Sequence, residues 1–459
     1  MWFAKVKKGE DMKEIKKIGW VCWFLVLFFI LTPSTGHADL GDILLRFQPY
    51  INFSEVYSNN INLDPNNETT DFITTVSPGI KFSTAPRSVT TGQLRETPTA
   101  EDRFRLDLDF QPGFVFYGKE EDNNYIRLYG TLNALYSLTQ NITFRVRDYL
   151  IQSDEIREME YAQTAIEGEY LLSRTARRAP YLRNVFEPSA EYRFGRENII
   201  AINYRNNLYR IQSRMLEDST ENFFNPRLIY WFDIRNGVSF EYGLTLGNFQ
   251  EMPDLVGHIA AGRYTYRFNP QTSIFGEYTY LKRDFESPST DYGIQRPSLG
   301  LEHNFSPTLS ARVQLGYYWA NFTRSPTTTN PFYRIMLTQI ARRTTYTLLF
   351  HGGYLEDLFD AENLGFTKYH RAMGRISHEL LQKMNVGLFG SYEWAKFFRA
   401  AIENREVDRI WAAGGNASYQ PLRWLNLSLE VSYRENHSNI RNSNYSEIHG
   451  IFRITATLI

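Results

Sequence analysis

Charged side chains recur at intervals of two along this chain. Arg105, Asp107 and Asp109 form one such set. Arg145 with Arg147, Arg193, Arg263 with Arg267, Glu302, Arg312, Arg371 with Arg375, and Glu430 with Arg434 continue it. Beyond residue 38 the chain holds 38 arginines and 6 lysines. A guanidinium stays charged and forks onto carboxylates or phosphates, so arginine suits a rigid ladder of charge on a wall. Such a wall binds or orients an anionic or hydroxyl-rich solute. The same residues also neutralise one another in pairs on any wet surface. These fourteen side chains are the candidate lining of a lumen.

No catalytic pattern accompanies them. The histidines beyond residue 38 are His258, His303, His351, His370, His378, His437 and His449. None falls in a nucleophile elbow or an HExxH pattern. His370 and His378 share a strand and a parity, but no compact set of carboxylates or cysteines joins them as metal ligands. No phosphate-binding loop or dinucleotide fingerprint is present. The reading is a protein without catalytic residues, cofactor or metal, and not an enzyme.

The elements that must carry the ladder are strands. Phe104, Leu106, Leu108, Phe110, Phe114 and Phe116 alternate with Arg105, Asp107, Asp109 and Gln111. A helix would scatter the apolar residues around its circumference, whereas a strand gathers them on one face. Leu309 to Trp319 and Leu425 to Arg434 repeat the pattern. Strands of about 11–14 residues are long for a soluble sheet and suit a tilted membrane crossing. Mean hydropathy is only −0.41 although aromatics make up 15%. That combination fits strands that are apolar on one side alone.

The connections alternate in length. Short turns fall at Leu138–Asn141, Gly195–Asn198, Asp233–Asn236, Asn269–Gln271, Ser306–Thr308, Arg342–Arg343, Leu381–Lys383 and Gln420–Leu422. Longer polar connections lie between them, including Lys282–Asp291 and Glu356–Phe366. Aromatics cluster by the short turns: Trp231, Phe232, Phe268, Phe305, Tyr419 and Trp424. Short periplasmic turns, longer extracellular loops and an aromatic girdle are the layout of a transmembrane antiparallel up-and-down β-barrel. The fold class expected is therefore all-β, a barrel of about 20 strands within a range of roughly 18–22. The stretch that decides the count is residues 154–183: an extracellular insertion there gives 20 strands, two strands there give 22. In hydrocarbon an unpaired sheet edge costs several kcal/mol per group, so the last strand must pair with the first. So wide a tube is not filled by side chains alone, and in-folded loops are the expected contents.

Six lysines from Lys5 to Lys17 precede an apolar run from Ile18 to Leu31, and Gly36-His37-Ala38 offers small residues for cleavage. This is the layout of a secretory signal peptide over residues 1–38, leaving the barrel as residues 39–459. The expected destination is the bacterial outer membrane. Removing residues 1–38 takes away Cys22, the sole cysteine, so no disulfide is expected. It leaves 44 basic and 48 acidic residues, a balance that argues against nucleic acid as a partner. Expected partners are outer-membrane lipid and lipopolysaccharide, and the barrel-assembly machinery that reads an amphipathic last strand such as Gly450–Leu458.

The opening stretch Pro49-Tyr50-Ile51-Asn52-Phe53-Ser54-Glu55-Val56-Tyr57-Ser58-Asn59-Asn60-Ile61, followed by Asp71-Phe72-Ile73-Thr74-Thr75-Val76-Ser77-Pro78-Gly79-Ile80, resembles the start of the outer-membrane β-barrel porins of the second type. It is especially similar to the outer-membrane proteins associated with PEP-CTERM exopolysaccharide systems. The resemblance implies passage of polysaccharide or small solutes across the outer membrane, and it brings no catalytic residues. The competing expectation is a non-conducting structural or adhesive barrel whose loops bind surface polymer or a partner protein.

Overall fold

A computed structural model describes residues 47–84, 103–155, 179–212, 217–286, 291–323, 326–359, 365–398, 407–439 and 443–457. The expected signal peptide lies outside them. The architecture is twenty antiparallel strands. They are β1 (Phe47–Ser58), β2 (Asp71–Ser83), β3 (Phe104–Tyr117), β4 (Tyr125–Ser137), β5 (Ile142–Ser153), β6 (Tyr181–Phe194) and β7 (Asn198–Ile211). Next come β8 (Ser219–Trp231), β9 (Asn236–Phe249), β10 (Leu255–Asn269), β11 (Thr272–Phe285), β12 (Tyr292–Ser306), β13 (Leu309–Phe322) and β14 (Thr328–Ala341). The series ends with β15 (Thr344–Asp357), β16 (Gly365–Leu381), β17 (Met384–Phe398), β18 (Val407–Leu422), β19 (Leu425–Ser438) and β20 (Tyr445–Thr457).

Each strand pairs with its sequence neighbour, and β1 pairs with β20, from Tyr50↔Thr457 to Ser58↔His449. The sheet is thus closed and has no free edge, as backbone groups in hydrocarbon require. β5 pairs directly with β6, from Ile142↔Tyr192 to Ser153↔Tyr181. That pairing decides the count: residues 154–180 join two neighbouring strands and insert none between them. Among the described residues no helix is long and apolar enough to cross a membrane.

Register sorts the side chains into two faces. On one face stand exposed apolar residues such as Phe53, Phe114, Ile202, Phe240, Leu299, Leu315, Leu348, Leu388 and Val431. On the other stand most of the strands' charged residues and a buried apolar cluster that joins β10 to β16. Contacts that skip several strands run along the second face, and only the concave side of a closed sheet allows such chords. It is the inner wall. The outer wall is an apolar belt. Near the short turns it carries Tyr136, Tyr192, Tyr230, Phe232, Phe268, Phe305, Tyr346, Tyr419 and Trp424, the amphipathic rings of an interfacial girdle.

Two sequence expectations need correction. Trp231 faces inward, where Arg267 lies 3.5 Å over its ring; its neighbours Tyr230 and Phe232 supply the outer girdle. The turn expected at Gln420–Leu422 is still strand. The register shifts between Tyr419 and Leu422, so Pro421, which has no N–H to donate, sits in an irregular step and the chain turns at Arg423–Trp424. Among the two-residue turns, the one at Arg342-Arg343 holds Arg342 at φ 53°, in the left-handed region that the primed hairpin turns use.

Candidate functional site: the inner wall and its hairpin

All fourteen candidate residues lie on the inner wall by register. Most are paired. Arg105 Nε donates to Asp107 at 2.7 Å, and Asp109 accepts from the Tyr50 hydroxyl at 2.6 Å with Lys81 at 3.7 Å. Arg147 meets Glu187 at 3.2 Å, Arg193 meets Glu191 at 2.7 Å, and Arg267 meets Glu197 at 2.8 Å. Arg312 and Glu302, direct partners across β12 and β13, are 2.5 Å apart. Arg371 donates to Glu393 through Nε at 2.7 Å, both deeply buried. Arg434 is buried, while Glu430 lies within electrostatic reach of Arg375 and Arg453. Arg145, Arg147 and Arg375 are exposed on the inner wall, so water reaches it there.

Several of these cations rest on aromatic rings laid flat against the sheet, and glycine makes the flat arrangement possible. A Cβ on Gly300 would stand 2.1 Å from the Phe275 ring; Arg263 covers the far side of that ring at 4.2 Å. Gly237, Trp231 and Arg267 repeat the layering, as do Gly243, Phe223 and Arg205. A guanidinium stacked on a ring keeps its N–H edge available for carboxylates.

The loop end of the tube is built differently. β14 pairs with β15 only as far as Tyr333↔Gly352, whereas β15 and β16 stay paired to Asp357↔Gly365. The β15–β16 hairpin therefore leaves the wall at Gly352-Gly353. A Cβ at Gly352 would lie 2.4 Å from the Tyr333 ring, which explains the residue type at this bend. Beyond it Tyr354, Glu356 and Phe366, outward by strand parity, contact inner-wall residues because the hairpin tips across the lumen. Glu356 accepts from Arg283 Nε at 3.0 Å, Arg283 Nη2 at 2.8 Å and the Tyr292 hydroxyl at 2.6 Å. Phe366 packs on Tyr292, Tyr318 and Phe322. Phe359 stacks on Phe249 of β9 at 5.3 Å, above Gly247. With Leu255, Leu281 and Ile294 this makes an apolar core inside the barrel. Each buried side chain of the hairpin, such as Leu358 or Phe366, contributes roughly 1.5–3 kcal/mol to its docking. The in-folded connection expected from the tube's width is this hairpin.

Sequence reading misses the docking residues for a definite reason. Arg283 and Glu356 fall in stretches that read as polar loops, Lys282–Asp291 and Glu356–Phe366. The strands there run on past the apolar belt, where alternation no longer marks them. Glu393 is missed as well, although a signal for it exists: Tyr392 and Trp394 on either side of it face outward and fix its inward parity. Among the described residues no group of side chains could hold a metal ion. Five histidines share hydrogen bonds with hydroxyls instead: His258 with Tyr242, His303 with Thr272, His351 with Tyr369, His370 with Tyr333 and His378 with Thr344.

A closed antiparallel sheet with an apolar girdled outer wall and an ion-paired inner wall defines a transmembrane β-barrel of the outer-membrane type. Residues 250–457, which hold β10 to β20, match the family described as "Putative beta-barrel porin 2". Among solved structures the chain is similar to the siderophore receptor PirA from Pseudomonas aeruginosa, at 8% identity and TM-score 0.49, covering 90% of this chain and 80% of that one. It is also similar to OpdQ from Pseudomonas aeruginosa, at 9% identity and TM-score 0.41, covering 91% and 100%. OccAB4 from Acinetobacter baumannii matches at 12% identity and TM-score 0.41, covering 90% and 98%. At such identities none of these names transfers to this chain. The comparison with curated proteins finds no match.

Proposed function

We propose that this barrel is a channel of the bacterial outer membrane, with the short turns on the periplasmic side and the longer loops outside. The observation that carries the reading is the polarity of the inner wall. A barrel filled as a core would be apolar along its whole interior; here the buried apolar clusters gather toward the loop end, and the rest of the wall presents arginines, carboxylates, carboxamides and hydroxyls. Twenty strands put it between porins of 16–18 strands, which leave an aqueous channel, and plugged barrels of 22. The docked hairpin narrows the loop end along β9 to β13 and sets what passes there. Removal of residues 1–38 and insertion by the barrel-assembly machinery, reading β20, would deliver residues 39–459 to the membrane.

Purified protein in planar lipid bilayers is expected to give discrete conductance steps. A folded barrel that never conducts would overturn the reading and favour a structural or adhesive barrel whose loops bind polymer or a partner. The similarity of β1 and β2 to exopolysaccharide-associated barrels makes an extended hydroxyl-rich polymer the cargo to test first. Deleting the gene should then strand polymer in the periplasm. Normal surface polymer would leave solute passage as the role.

A further inference from the structure

The inner wall differs from the rest of the chain in the sign of its charge. Followed by register through the twenty strands, its strand residues include nineteen Lys or Arg against fourteen Asp or Glu, and the tipped hairpin adds one further carboxylate, Glu356 on Arg283. The whole chain, in contrast, carries a net charge of −1. The excess is visible in individual contacts. Glu277 alone serves two guanidiniums: Arg263 donates to its Oε2 at 2.5 Å and Arg296 to its Oε1 at 3.2 Å. Arg334 and Arg371 stand directly across from His351 on its two sides, one on β14 and one on β16. Arg145 and Arg375 are exposed on the wall with no carboxylate within 4.0 Å among the described residues.

We infer that the channel selects anions, and that what passes through it, solute or polymer, carries carboxylate, phosphate or sulfate groups. The inference rests on the channel reading above and adds the class of solute. A cationic wall around a water-filled bore flanked by low-dielectric hydrocarbon raises the local concentration of anions and lowers that of cations. The bias reaches about 10 Å into the bore at 0.1 M salt and shrinks to about 3 Å at 1 M. Arginine suits the task because it also offers paired N–H donors to carboxylate and phosphate oxygens.

The test is the reversal potential of the purified full barrel in a planar bilayer under a potassium chloride gradient. The current is expected to reverse on the chloride side of zero, and more so at 0.1 M than at 1 M. The double variant R145Q/R375Q is expected to cut the chloride-to-potassium permeability ratio by about half, and R145E/R375E to cut it further, since a few exposed charges outside direct ion pairs dominate the field in a bore. Both variants lie at exposed positions, and heat-modifiable migration on gels verifies that they fold. If the unmodified barrel conducts but reverses at zero or on the potassium side, the anion inference is overturned and the channel reading stands. If it does not conduct, both fall.

Discussion

Arg283 of β11 and Glu356 of the β15–β16 hairpin form a two-pronged ion pair across the inside of the barrel, at 3.0 and 2.8 Å, from strands that are not neighbours. Their side chains are only 10% and 14% exposed. Removing one partner of so buried a pair leaves an uncompensated charge, at a cost of about 3–5 kcal/mol. That is comparable to the gain from burying one or two of the hairpin's apolar side chains, so losing the latch loosens the hairpin against the wall. Glu356→Gln or Arg283→Gln should raise single-channel conductance or increase flicker between levels. Conductance identical to the unmodified protein in both variants would show that the hairpin is held by its aromatic contacts alone.

Gly300 and Phe275 make a second prediction. The ring occupies the place a Cβ would take, 2.1 Å from it, and Arg263 caps the ring on its lumen side. Gly300→Val must push the ring off the wall and with it the Arg263–Glu277 pair. Overpacking of this kind costs about 1–3 kcal/mol. The urea midpoint for unfolding from lipid vesicles should drop accordingly, whereas Gly390→Ala, where nothing lies within 4 Å, should leave it unchanged.

How much of this was legible in the sequence follows from where alternation is strong. Phe104 to Tyr117 could be bounded to the residue because one face must meet lipid and the other water, and β3 spans that range. The same logic placed the charged residues together on one face. It stalled at residues 154–183, where no alternation exists, and only the pairing of β5 with β6 settles the count. The hairpin lay beyond reach for another reason. Tyr354 and Glu356 have outward parity, and nothing local says that the strand leaves the wall. The one available signal was Gly352-Gly353, a pair that frees the backbone to bend but does not say in which direction.

Asp233 gives a prediction in pH. It sits in the turn between β8 and β9, outside the spanning strands. Its carboxylate accepts from the Asn236 side chain at 2.8 Å and from the backbone N–H groups of Arg235 and Asn236 at 2.6 and 2.8 Å. The Asn236 side-chain bond first, then the backbone bonds, hold its carboxyl below the usual carboxylate value. A depressed value in the folded state means the turn is fully supported above the unfolded carboxyl's range and loses that support as pH falls through the folded value. A side-chain NMR titration in detergent micelles should read Asp233 below about 3.9, the free aspartate value. An unshifted titration would contradict the capping geometry.

The last prediction concerns the outer wall, where polarity is out of place. Asn184 donates to Asp148 at 2.8 Å and to the Tyr149 carbonyl at 3.1 Å. Both Asp148 and Asn184 have outward parity, since Tyr149 and Arg183 face inward beside them. Two strands further on, Asn222 accepts from the Tyr204 hydroxyl at 2.6 Å and from Asn206 at 2.9 Å. These bonds satisfy part of the hydrogen-bonding capacity but leave a carboxylate on a face that otherwise meets acyl chains. A charged side chain on the lipid face costs about 2–4 kcal/mol for arginine or lysine at the midplane, and less for aspartate. Asp148→Leu removes that cost, and Asn184 keeps its bond to the Tyr149 carbonyl. The variant should therefore be more stable by on the order of 1 kcal/mol in urea titrations from vesicles, with conductance unchanged because the inner wall is untouched. Destabilisation instead would mean that Asp148 holds β5 against β6, and that its bond to Asn184 outweighs its desolvation.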